Sequence, residues 1–142
     1  MKISEIMTRN VECISPSTPI AKAAEKMRDD DIGFLPVCEH HKDHKIVGTV
    51  TDRDITIRSV AQGRDPRLAP VSEIMTSTVF SCYEDDDIET VAHAMDKDEV
   101  RRMLIFDRQD QLVGVVSLGD IAKAYSNKEL AGETLGDIAE AA

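Results

Sequence analysis

The sequence has no tryptophan and few aromatic residues, and its three cysteines form no CxxC pair. An odd number of isolated cysteines argues against a secreted disulfide framework and fits reduced thiols in the cytoplasm. No apolar run approaches the roughly 20 residues that a membrane span requires, and the start lacks the basic-then-apolar layout of a signal peptide. We therefore expect a cytoplasmic protein with no membrane partner.

Positive charge is also scarce, with 17 Lys and Arg against 27 Asp and Glu and a net charge of -10. Such a chain repels a phosphate backbone at long range, so we expect no nucleic-acid partner. The nucleophile elbow Gly-x-Ser-x-Gly, a phosphate-binding loop with lysine and His-Glu-x-x-His are absent as well. The sequence therefore predicts a protein that is not an enzyme.

What the chain does contain is an internal repeat. Residues 4–8 return as residues 72–76, and residues 48–55 return in pattern as residues 114–121. Each copy is too small to bury its own apolar face, so the copies are expected to pack together and leave a cleft between them. We assign residues 1–63 to the first repeat, 64–70 to a linker, 71–126 to the second repeat and 127–142 to a helical tail.

Each repeat has the pattern of a short strand near Val11 or Val79, a helix, an antiparallel hairpin and a second helix. Pro19 is expected at the first position of the first helix. In the second repeat, Asp86 is the expected N-cap and Glu89 its capping-box partner. The fold class is therefore α+β, with β-α-β-β-α in each repeat.

The sharpest local motif is Thr51-x-x-Asp54, which the second repeat repeats as Ser117-x-x-Asp120. Ser or Thr followed three residues later by an acidic residue is a capping box, and taken alone this structural role is favoured over binding. Each motif follows a glycine in the preceding strand, Gly48 in the first repeat and Gly114 in the second. A glycine at that place lets another backbone or a ligand approach closely. Capping and ligand binding are compatible roles.

Together, Ile-Met-Thr, Leu-Pro-Val and Gly-Thr-Val-Thr-Asp-Arg-Asp-Ile resemble, in order and spacing, a tandem pair of cystathionine-β-synthase-type (CBS) domains, the Bateman module. The match covers roughly residues 1 to 126 and is typical of small stand-alone bacterial members. It implies two repeats packed sheet to sheet about a pseudo-two-fold axis. It also implies clefts that bind AMP, ADP, ATP or S-adenosylmethionine, and a flat homodimer.

Carried onto this chain, the resemblance implies that Asp54 and Asp120 accept hydrogen bonds from ribose hydroxyls, with Thr51 and Ser117 beside the ribose and phosphate. The apolar residues expected to flank the adenine are Val11, Val79, Ile32, Leu35 and Pro36. The arginines expected to meet phosphate are Arg53, Arg101 and Arg102. Because Arg53 becomes Gly119 in the second copy, the Asp54 site is predicted to be the better nucleotide site.

The function implied is that of a non-catalytic regulator in energy sensing, which binds an adenosine-containing ligand between the repeats and transmits occupancy to an unidentified partner protein. One alternative is a scaffold or stress protein with vestigial clefts. Another is a metal-responsive sensor, because one thiol and three imidazoles fall within seven residues. These candidate ligands are Cys38, His40, His41 and His44, and a solvated hairpin loop explains them more simply.

Overall fold

The computed structural model describes residues 1–39 and 45–126, which form two compact units. One, here called the terminal unit, combines Met1–Val11 with the chain from Phe80 onward; the other, the central unit, is Glu12–Val79. In chain order the elements are β1 (Thr8–Arg9), α1 (Ile20–Asp30), β2 (Phe34–Cys38), β3 (Ile46–Thr51), α2 (Asp52–Asp54), β4 (Ser81–Tyr83), α3 (Ile88–Asp98), β5 (Arg102–Phe106), β6 (Leu112–Ser117) and α4 (Leu118–Ala124). Within the described ranges, no helix is long and apolar enough to cross a membrane. The expected helical tail, residues 127–142, lies outside the described residues.

The terminal unit is built on a four-stranded sheet in the order β1-β6-β5-β4. The β5·β6 pair is the antiparallel hairpin that the sequence predicts, and β4 joins it in parallel. The apolar stripe of α3 covers this sheet, and its buried members are Ile88, Val91, Ala92 and Met95. The stripe is therefore part of the core of the terminal unit.

The central unit has the same arrangement of strands, but single β-bridges replace its two edge strands. Strands β2 and β3 form the antiparallel hairpin, and single bridges at Ile14 and Thr76 stand where the terminal unit has β4 and β1. The stripe of α1 contributes buried Ile20, Ala23 and Met27 to the core of this unit. The expected strands near Val11 and Val79 are displaced by two residues: β1 ends at Arg9 and β4 begins at Ser81, so both valines lie outside the strands.

The compact units differ from the repeats of the sequence because each repeat sends its first segment into the other unit. We call Met1–Val11 the terminal arm and Val71–Val79 the central arm. Thr8 pairs with Val115 in the terminal unit, and Thr76 pairs with Thr49 in the central unit. Each arm thus supplies the edge of a sheet whose hairpin comes from the other repeat.

Two expected helix starts are shifted by one residue. Pro19 is the N-cap of α1 rather than its first helical residue, with an extended ψ of 142°. The N-cap of α3 is Asp87, so the expectation for Asp86 is wrong: its carboxylate instead accepts a hydrogen bond of 2.9 Å from the Tyr83 N–H. Asp86 and Asp87 are equally suited to an N-cap by residue type. Because the Asp86 side chain is bonded within the turn after β4, the helix begins one residue later.

The helix that follows β3 differs from its counterpart in the terminal unit. After the single α-helical turn of α2, the chain continues as a π-helical segment, Ile55–Val60, whereas α4 is α-helical. The Ser59 hydroxyl in this segment is fully buried and has no hydrogen-bond partner among the described residues. Short π-helical segments occur frequently at functional sites, and this one begins directly after Asp54.

Candidate functional site

Both motifs form reciprocal capping boxes. The Asp54 N–H donates to Thr51 Oγ1 at 3.1 Å, and the Thr51 N–H donates to Asp54 Oδ2 at 3.0 Å. In the terminal unit the Asp120 N–H donates to Ser117 Oγ at 3.1 Å, and the Ser117 N–H donates to Asp120 Oδ2 at 2.9 Å. The capping role of the motif is therefore present in both repeats.

Capping leaves acceptor capacity on each carboxylate. The box uses Oδ2 of Asp54 and Oδ2 of Asp120, and a carboxylate has about four lone-pair sites over its two oxygens. The Asp54 side chain is 14% exposed, so its position is fixed by the fold while one edge remains accessible. A fixed acceptor with one oxygen outside the capping box is suited to a donor such as a ribose hydroxyl.

The arms decide which apolar residues share a unit with each motif. Val79 belongs to the central unit together with Thr51 and Asp54, and Val11 belongs to the terminal unit together with Ser117 and Asp120. Each aspartate therefore shares a unit with the valine of the other repeat. The sequence repeat alone does not reveal this exchange.

The other expected adenine contacts lie on or beside β2. Leu35 is fully buried in the core of the central unit, and Pro36 is buried with its carbonyl accepting a hydrogen bond from the Ile14 N–H at 3.0 Å. Ile32 is partly buried and packs against the same core. Leu35 therefore presents no exposed surface, and its contact with a ligand stays a prediction.

Arginines accompany both motifs, but they come from different elements. In the terminal unit Arg102 is the direct partner of Ser117 in the β5·β6 ladder, and the carbonyl of Arg101 accepts a 2.7 Å hydrogen bond from Leu118 N–H. In the central unit Arg53 is exposed on α2, one residue before Asp54. Each unit thus has an arginine whose backbone is next to the motif, Arg53 beside Asp54 and Arg102 opposite Ser117.

The structure adds one arginine that the site prediction missed. Arg58 Nη1 lies 3.9 Å from Asp54 Oδ1, on the oxygen that the capping box leaves open. The sequence signal was the i,i+4 spacing from Asp54 to Arg58, which places two side chains on one helix face.

Of the candidate metal ligands, Cys38 is described, whereas His40, His41 and His44 lie outside the described residues. Cys38 is buried, and its side chain shares a hydrogen bond with that of Cys13. Burial raises the pKa of the Cys13 thiol to about 12, and the contact with Cys38 adds to the shift. Across the described ranges, no group of three or more His, Cys, Asp or Glu side chains is arranged to hold a metal ion.

Comparison with protein-family profiles matches the CBS domain twice, over residues 3–60 and 71–127. The CBS domain-containing protein YhcV of Bacillus subtilis is 38% identical over 136 residues, which cover 96% of this chain and 94% of YhcV.

Two solved structures share the fold. The hypoxic response protein I structure with two coordinated zinc ions has a TM-score of 0.73 and 32% identity, over 87% of this chain and 98% of that one. The CBS domain pair of protein MJ0100, in complex with 5′-methylthioadenosine and S-adenosyl-L-methionine, has a TM-score of 0.77 and 26% identity, over 89% of this chain and 96% of that one.

Proposed function

Since the chain belongs to the CBS domain family, whose profile matches both of its repeats, we propose that it is a non-catalytic cytoplasmic regulator that binds an adenosine-containing ligand. The observation that carries the proposal is the pair of capping boxes, each of which fixes an aspartate through Oδ2 alone. The ligands bound by the MJ0100 domain pair share an adenosine moiety, and the cis-diol of its ribose suits such a carboxylate.

In this proposal Asp54 and Asp120 hold the ribose, and Thr51 and Ser117 keep the carboxylates in place through the capping boxes. Val79 and Val11 supply apolar contact for the base in the central and terminal units, in that order. A guanidinium matches phosphate oxygens, so Arg53 and Arg58 favour AMP, ADP or ATP at the central unit. A change in occupancy alters the equilibrium between conformations and is read by a partner protein.

We expect AMP, ATP or S-adenosylmethionine to raise the melting temperature of the full chain. A ligand that binds only the folded state adds about 2.7 kcal/mol of stability at a free concentration of 100 times its Kd. The measurement is a thermal shift series over ligand concentration, with GMP as the control for the base. No shift with any adenosine compound would favour the scaffold alternative instead.

We also propose that the chain forms a homodimer through exposed apolar side chains of the central unit. Ile57 and Val60 lie on the π-helical segment and are 45% and 66% exposed, and Leu68 is 81% exposed. Light scattering after size exclusion should give twice the chain mass for the wild type and the chain mass for an Ile57→Asp, Val60→Asp double variant. Thr56→Asp adds one such charge to the same π-helical segment without removing an apolar side chain, and it should stay dimeric. A monomeric wild type contradicts the proposal.

Metal sensing is a second candidate function, favoured by the zinc-bound structure of the hypoxic response protein. The contact of Cys13 with Cys38 provides two thiols, which fit half of a tetrahedral zinc site. Zinc added to the same thermal shift series separates the functions, because a shift with zinc and none with adenosine compounds supports metal sensing.

A further inference from the structure

Arg58 ties the motif helix to the central arm. Its guanidinium donates to the Ile74 carbonyl at 3.1 Å, to Thr76 Oγ1 at 3.3 Å and, at 3.5 Å, to the Met75 carbonyl. The same guanidinium lies 3.9 Å from Asp54 Oδ1. One side chain therefore links the proposed ribose acceptor with three consecutive residues of the arm.

This link is specific to the central unit. The offset of 66 residues that relates Asp54 to Asp120 places Ala124 at the position of Arg58, and alanine cannot make the contact. The helix also differs there, because the π-helical segment leaves the Ser59 hydroxyl buried without a partner among the described residues. A buried, unsatisfied hydroxyl costs free energy, so a rearrangement of this turn that gives Ser59 a partner would recover part of that cost.

The groups of the central arm that hold Arg58 are neutral, whereas its partner Asp54 is charged. Two carbonyls and a hydroxyl accept its hydrogen bonds, and its side chain is 49% exposed. A phosphate carries more than one negative charge near pH 7 and accepts two parallel hydrogen bonds from a guanidinium. All three bonds to the arm use Nη1, which has two hydrogens, so a phosphate that binds Nη1 and Nη2 together competes with the arm for those hydrogens. The phosphate also brings a Coulomb attraction to the guanidinium that neutral carbonyls lack, so it displaces them.

We propose that Arg58 is the residue by which the central unit distinguishes phosphorylated from unphosphorylated adenosine ligands, and that binding the phosphate releases its hold on Ile74, Met75 and Thr76. The inference rests on the proposed function, because it requires the ribose to be held at Asp54. AMP would free the arm from the guanidinium, whereas adenosine would leave it tied. A bound phosphate would thereby loosen the central arm, which forms the edge of the central unit.

The test compares AMP with adenosine, by calorimetric titration of the full chain, in the wild type and in Arg58→Gln. The glutamine keeps amide donors for the arm carbonyls and removes the positive charge. We expect the preference for AMP over adenosine to fall by about tenfold or more, with adenosine affinity unchanged. Hydrogen exchange at the Thr76 amide, which is bonded to the Thr49 carbonyl, should be faster in the wild type with AMP than with adenosine.

Arg64→Gln is the matched control. Arg64 ties the same arm through a 2.8 Å ion pair with Glu73, and its Nε donates to the Arg58 carbonyl at 3.1 Å. This variant therefore loses the same charge and another tether, together with a bond to the Arg58 backbone, while the Arg58 guanidinium is kept. Its preference for AMP should equal that of the wild type. Any of three results overturns the inference but not the proposed function. The preference for AMP over adenosine could be unchanged in Arg58→Gln, it could fall equally in Arg64→Gln, or the Thr76 amide of the wild type could exchange equally fast with both ligands. A wild type that binds neither compound overturns the proposed function and the inference together.

Discussion

Asp54→Ala should weaken AMP binding by about 100-fold, because two hydrogen bonds from ribose hydroxyls to a charged carboxylate are lost, at about 1.5 kcal/mol or more each. Asp120→Ala should cost clearly less. Arg53 and Arg58 accompany Asp54 on its own helix, whereas Gly119 and Ala124 stand at their places in the terminal unit. Calorimetric titration of both variants with AMP measures the difference.

The two variants control each other for structural damage. Each removes one of the two bonds of its capping box, the one that the carboxylate accepts, which costs about 1 kcal/mol of stability in either unit. A purely structural effect would therefore appear equally in both. Asp52→Ala removes an exposed carboxylate two residues from Asp54 and should leave AMP affinity unchanged. Equal losses in Asp54→Ala and Asp120→Ala, or no loss in either, contradict the predicted preference for the central site.

Gly48→Ala and Gly114→Ala should each lower the melting temperature by about 3 to 10 °C, because overpacking of a close backbone contact costs about 1–3 kcal/mol. A Cβ at Gly48 would stand 2.7 Å from the Thr76 carbonyl oxygen and 3.0 Å from Met75 Sδ. At Gly114 the corresponding atoms are the Thr8 carbonyl oxygen at 2.7 Å and Met7 Sδ at 2.8 Å. In each unit the backbone oxygen belongs to the arm, so the arm must move outward.

Gly119→Ala is the control for glycine replacement as such. Its Cβ would meet only Ser117 Oγ, at an ordinary 3.6 Å, and alanine favours a helix over glycine by up to about 1 kcal/mol. This variant should keep or raise the melting temperature in the same thermal denaturation experiment. Gly48→Ala or Gly114→Ala as stable as the wild type would show that the arms are not held at these positions.

The hairpins and the motif helices were predictable from the sequence because their signals are local. Thr51 and Asp54 are three residues apart, and so are Ser117 and Asp120, so each capping box forms within one turn. The two apolar runs of β5 and β6, separated by a short polar turn, are equally local. These features follow from neighbouring residues, and the structure confirms them.

The exchange of the arms was not predictable, because the two arms offer their partners the same chemistry. Met7 and Thr8 meet Gly114 in the terminal unit, just as Met75 and Thr76 meet Gly48 in the central unit. A glycine that accepts one Met-Thr pair accepts the other, so the pattern does not say which pairs with which. The contact of Arg58 with the arm follows from that exchange and was missed for the same reason.

The exchanged arms also determine which fragments of this chain keep a complete sheet. A fragment that ends at the linker would keep β2 and β3 but lose Val71–Val79, the stretch that covers Gly48 and accepts the hydrogen bonds of Arg58. The complementary fragment would lack Thr8 and Arg9, which complete the edge of the other sheet. Although the sequence is a repeat, we expect neither half to fold by itself. An insertion between the halves has to leave each arm able to reach its sheet.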